Sequence, residues 1–149
     1  MRRQRWPREW PGSSRATGRK NLQPEGGMNF TILFFVAAGG AIGSVLRALV
    51  AAALPVGRLP WATIIVNVAG SLLIGFLLAR FTSPGGTDVT RAHAFWVVGM
   101  CGGFTTFSAF SWQTFEQLQK GDNFAAAANV ILSLVICVAA TWLGWRMAR

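Results

Sequence analysis

From Phe30 onward the chain alternates four long apolar runs with short polar ones. Phe30–Leu54, Trp61–Phe81, His93–Leu118 and Phe124–Trp145 are each long enough for a helix to cross a bilayer core, which takes about 20 residues. Polar breaks separate them: Pro55 to Pro60 with Arg58, Thr82 to Ala92 with Ser83-Pro84-Gly85-Gly86, and a tight turn at Lys120-Gly121-Asp122-Asn123. The pattern predicts an all-α integral membrane protein of four transmembrane helices.

Three of the runs carry small or polar residues at helical spacing. Gly39-x-x-x-Gly43 and Gly40-x-x-x-Ser44 give the first span a face for close helix approach. Asn67, Gly70, Ser71 and Gly75 share one face of the second. Asn129, Ser133, Cys137 and Thr141 recur every four residues along the fourth, a stripe of weak donors able to replace an anion's hydration in steps.

The third run is different. Gly99-Met100-Cys101-Gly102-Gly103-Phe104-Thr105-Thr106-Phe107-Ser108-Ala109-Phe110-Ser111 combines three glycines with adjacent β-branched threonines, all poor helix formers. The expected result is a third helix broken mid-membrane. In lipid such a break survives only where protein or a polar cavity satisfies the freed backbone groups, and broken helices present bare carbonyls or amides to ions. Phe107 and Phe110, three apart, can face one way on the resumed helix, interleaved with Ser108, Ser111 and Thr114. A phenylalanine pair is ordinarily packing. Here the positive ring edges offer an alternative, accompanying a dehydrating anion without trapping it.

Composition supports a membrane reading: 52% of residues are hydrophobic and 13% charged. The net charge of +9 rests on 14 basic against 5 acidic residues, and half of the basic ones precede Met28. Residues 1–27 are expected to be a disordered tail, or to lie upstream of a true start at Met28, leaving 28–149 as the membrane domain. A basic tail beside apolar spans meets anionic lipid more readily than nucleic acid. Cys101 and Cys137 sit in apolar runs and read as small packing residues. No Ser/His/Asp, Cys/His or paired-carboxylate constellation points to an enzyme, and the glycine-rich stretch lacks a phosphate-loop lysine.

Two polar residues inside the spans have competing readings. Arg47 is a snorkelling side chain, a clamp on another helix's carbonyls, or an anion-attracting charge at a cavity mouth. Asn67 makes a helix–helix hydrogen bond or lines a pore.

Residues 28–149 resemble the CrcB/Fluc family of small fluoride channels. The resemblance rests on Gly39-Gly40-Ala41-Ile42-Gly43-x-x-x-Arg47, Val66-Asn67-Val68-x-Gly70-Ser71 and, most specifically, the stretch from Gly99 to Ser111. It implies passive fluoride export across the inner (plasma) membrane by an antiparallel, dual-topology homodimer with two pores and a structural sodium ion at the dimer centre. Gly102 and Thr105 match the carbonyl positions for sodium. Asn67, Phe107, Phe110 and Ser133 match pore-lining positions, and Arg47 matches the first-helix arginine; Ser111 completes the polar side of the path. Gln113 stands where a glutamate is usual and Asn129 where a tyrosine is usual. Both can still hydrogen-bond, so both are expected on the anion path, with pore hydration and rate altered.

A small dual-topology multidrug-type transporter or a non-conducting assembly protein are the rival readings. The transporter needs a membrane-embedded carboxylate, and Asp88, Glu116 and Asp122 fall at or near span ends. The core's arginines and lysine are only weakly biased to the side of the termini, Arg80, Arg91, Arg146 and Arg149 against Arg58 and Lys120, as insertion in both orientations requires.

Overall fold

The computed structural model describes residues 30–81 and 90–149; the expected tail over 1–27, the Met28 start and most of the Thr82–Ala92 loop lie outside them. The described residues are helical and contain no strand. Helix α1 is Phe30–Ala53 and α2 is Trp61–Phe81. The third run opens with a short turn at Arg91–His93, widens into a π-helix over Ala94–Cys101 and closes with a turn at Gly102–Phe104; we call 91–104 α3. After Thr105 and Thr106 come α4, Phe107–Gln119, and α5, Asn123–Met147. Four stretches are long and apolar enough to span a membrane: Phe30–Ala53, Trp61–Phe81, Arg91–Gln119 and Asn123–Met147. Arg91 and Ala92, expected in the loop, are helical because Thr90 caps them, its Oγ1 accepting from the His93 N–H at 3.1 Å.

The helices pack through small residues. Gly39 and Gly43 of α1 lie against the Phe95 and Met100 carbonyls, and Gly99 and Gly103 of α3 lie in turn against Val36 and Gly40; a Cβ at any of the four would collide with backbone. Lipid offers no hydrophobic drive between helices, so this close approach supplies van der Waals contact instead. The π-helical geometry of Ala94–Cys101 coincides with this seam. A second seam joins α2 to α5, with Gly75 under Thr141 and Gly144 under Leu72. The fully buried side chains are correspondingly modest, with Val66, Cys101 and Asn129 the largest. Large apolar groups such as Phe34, Leu49, Trp112 and Leu134 stay exposed, as suits helices whose solvent is lipid.

The connections tie themselves down. α4 ends on Gly121 at φ 75°, with Gly121 N–H donating to the Leu118 carbonyl and Asp122 N–H to the Gln117 carbonyl. Asp122 then caps α5 by accepting from Ala125 N–H at 3.1 Å. Its carboxylate also takes Arg58 Nε and Nη2 at 2.7 and 2.9 Å, and Gln117 Nε2 donates to the Arg58 carbonyl at 2.8 Å. Arg58, hydrogen-bonded to the carboxylate, and then the Ala125 amide hold the Asp122 pKa down to about 2. Lys120 pairs with Glu116 at 2.8 Å.

Candidate functional site

The site begins where α3 stops. Thr105 (φ −79°, ψ 155°) and Thr106 (φ −149°, ψ 113°) are extended. In a continuous helix the Thr106 N–H would bond the Gly102 carbonyl. Instead it donates to Asn67 Oδ1 at 2.8 Å, while Asn67 Nδ2 donates to the Thr106 carbonyl at 3.2 Å. One side-chain amide from α2 thus pairs both polar groups of a single backbone residue. Gly70, one turn along α2, brings that helix close, because a Cβ there would strike the Thr105 methyl. Thr105 Oγ1 donates to the Cys101 carbonyl at 2.8 Å, and Thr106 Oγ1 caps α4 by accepting from Ala109 N–H at 3.2 Å.

Around these residues runs a groove of about 550 Å³ between α2, α3, α4 and α5. Asn67, Gly102, Thr105, Phe107, Phe110 and Ser133, all candidates from the sequence, line it together. The two phenylalanine rings sit 5.5 Å apart between centroids, and Phe107 is 79% exposed. Ser71 and Thr106 add hydroxyls, and the rest of the wall is largely apolar, so each polar group there acts in a medium that strengthens its electrostatics. Asn67 thus both bonds another segment of the chain and lines the groove.

Arg47 and Gln113 are not in this groove. They meet in a second cavity of about 290 Å³ with Ser44, Thr63 and Thr106. Arg47 makes no salt bridge among the described residues, and Gln113 Oε1 is buried with no hydrogen-bond partner. Thr106 belongs to both cavities. Ser111 is exposed and lines neither. Asn129 is fully buried behind the groove wall, with Nδ2 on Thr114 Oγ1 at 2.8 Å and Oδ1 receiving Ser133 Oγ at 3.3 Å. Thr141 turns its hydroxyl to the Cys137 carbonyl of its own helix at 3.0 Å, so the stripe on α5 divides into groove-facing and internally bonded halves.

Among the groove residues not singled out from the sequence as site residues are Thr106, Cys101 and Cys137. For Thr106 a signal existed, since a threonine immediately before a resumed helix is an N-cap pattern. Cys101 gave none, whereas Cys137 belonged to the four-residue stripe of the fourth span.

The chain matches the family model described as CrcB-like protein, Camphor Resistance (CrcB), over residues 34–145. It is 47% identical over 117 residues to a protein of Rhodospirillum rubrum named fluoride-specific ion channel FluC, covering 74% of this chain and 88% of that one. A protein of the same name from Paramagnetospirillum magneticum is 48% identical over 114 residues, covering 73% and 88%. One from Nitrobacter winogradskyi is 43% identical over 125 residues, covering 82% and 98%. The matched region takes in both glycine seams, the Thr105–Thr106 segment and the groove lining, and with them this multi-pass membrane protein belongs to the CrcB family.

Proposed function

We propose that the chain is a fluoride-selective channel that lets the ion leave the cell passively, and not an enzyme. The observation that carries this reading is the groove, which gathers Asn67, Phe107, Phe110 and Ser133 from three helices beside a helix discontinuity. The relatives' names supply fluoride as the ion. A dehydrating anion would meet positive ring edges from Phe107 and Phe110, with Asn67 and Ser133 as neutral polar neighbours that hold it weakly enough to release it. Arg47, off this path and without a salt bridge among the described residues, would raise the local anion concentration from the second cavity. Gln113 would hydrate that cavity.

The working form we propose is an antiparallel, dual-topology homodimer in the inner membrane, with the discontinuity at mid-membrane. Supporting it, Gly102 is exposed, and a Cβ there would meet nothing, so this surface is open to a second copy. The residues also fit a sodium ion. Diversion of the Thr106 N–H to Asn67 frees the Gly102 carbonyl from its helical donor, and the C-terminal end of α3 is the negative end of its dipole. Gly102 and Thr105 carbonyls would hold the ion, which would neutralise oxygens that lipid cannot solvate.

Fluoride efflux from liposomes holding the purified protein, with chloride as control, tests the channel reading; no fluoride efflux, or equal fluxes of both ions, overturns it. Exchanging sodium for a large organic cation is expected to lower the unfolding temperature of the dimer. An equal temperature in both salts overturns the sodium site.

A further inference from the structure

We infer that Asn129 is a positioning residue that holds back the Ser133 hydroxyl proton from the groove, keeping the anion weakly bound there. The inference deepens the fluoride-channel reading and rests on it. Its basis is the direction of one hydrogen-bond chain. The Phe110 carbonyl can only accept, so Thr114 Oγ1, 2.8 Å away, must donate to it. With its single proton spent, Thr114 Oγ1 can only accept from its other partner. The Asn129 group 2.8 Å from it is therefore the amide nitrogen, which fixes the amide's orientation and turns Oδ1 to Ser133. An amide oxygen also only accepts, so the Ser133 hydroxyl, 3.3 Å away, is the donor. The chain runs one way, from Ser133 through Asn129 and Thr114 to the Phe110 backbone.

Both ends of this chain are groove residues, and its middle lies off the groove. Ser133 and Phe110 line the groove, whereas Asn129 and Thr114 do not, and Asn129 is 0% exposed. Ser133 therefore offers lone pairs to the groove while its proton points inward. To receive that proton, an anion must take it from Asn129 Oδ1, which has no other donor among the described residues and no access to water. Leaving a buried acceptor unpaired is costly, and that cost is subtracted from the anion's affinity at Ser133. The bond is long for an O–H donor, so the proton is held but not locked.

The test is fluoride flux against fluoride concentration in liposomes. Asn129→Leu keeps the side chain's size and removes the acceptor. The half-saturating fluoride concentration is expected to fall about five-fold, the worth of one ordinary net hydrogen bond, and the maximal flux with it. Adding Ser133→Ala to this variant should abolish the shift. Thr114→Val frees the Asn129 amide to turn its N–H toward Ser133 and should shift half-saturation the same way, even where the leucine variant does not fold; Thr114→Ser, which keeps the hydroxyl, should restore the parent value. Lower flux at unchanged half-saturation in Asn129→Leu or Thr114→Val would assign Asn129 to packing and overturn the inference alone. A parent protein that carries no fluoride would overturn the channel reading and this inference with it.

Discussion

Two of the places where the chain leaves the helix, the turn after α4 and the Thr105–Thr106 segment, solve the same problem differently. At the turn every partner of the freed backbone is local: Gly121 supplies the positive φ, and Gln117 and Leu118 carbonyls take the Asp122 and Gly121 amides. Asp122 caps the next helix by accepting from the Ala125 N–H. At Thr105–Thr106 the backbone partner is Asn67, 39 residues away. Water can finish whatever a turn between spans leaves unsatisfied. An apolar groove cannot, so a side chain from another helix must do it. The turn's backbone is accordingly satisfied locally, with Arg58 adding only side-chain contacts, whereas the Thr105–Thr106 segment exists only in the folded bundle. The proposed ion path runs beside it.

Breaking the distant partnership should have the largest effect. Asn67→Leu leaves the Thr106 N–H and C=O unpaired in apolar surroundings, about 1–3 kcal/mol for each group. Loss of fluoride efflux and a clear drop in unfolding temperature are expected, and a variant as stable as the parent would mean that Thr106 finds other partners. Next comes the close approach that sets up this pairing. Gly70→Val drives a side chain into Thr105 and should cost about 1–3 kcal/mol by overpacking, with flux reduced. The local turn should respond less: Gly121→Ala places a Cβ at φ 75° and should lower stability by about 1 kcal/mol with fluoride flux retained. A flux loss there as large as at Asn67 would erase the contrast.

The smallest effect concerns pH. The Asp122 pKa lies at about 2, below its ordinary 3.8, so its contribution is complete above that ordinary value and is lost as pH falls from about 4 toward 2. Arg58, raised by the same pair, keeps its charge throughout. Unfolding temperature followed from pH 6 to 3 should decline at the acid end in the parent and less so in Asp122→Asn. Identical profiles would show that this exposed pair adds nothing.

Much of this was legible in the order of residues. The four spans follow from apolar length alone, and α2 begins and ends where its run does, at Trp61 and Phe81. The glycines at 39 and 43 announced close packing, because a missing Cβ is useful chiefly where backbones meet. Low helix propensity marked the region from Gly99 to Ser111. Which residues there take extended dihedrals was not written locally, since Thr105 and Thr106 are set by Asn67 and Gly70 of another helix. The π-helix over Ala94–Cys101 was not legible either: Ala94 to Val98 reads as ordinary apolar helix, and the seam with α1 is a tertiary contact.

The stripe on α5 shows the limit most clearly. Asn129 and Ser133 are equivalent by periodicity, yet one is buried behind the wall and the other lines the groove. Spacing fixes which residues share a helix face, because the helix repeat is a property of the backbone. How far a neighbouring helix covers that face depends on crossing and depth. Only the packing of α4 against α5 decided that Asn129 bonds Thr114, leaving Ser133 at the groove.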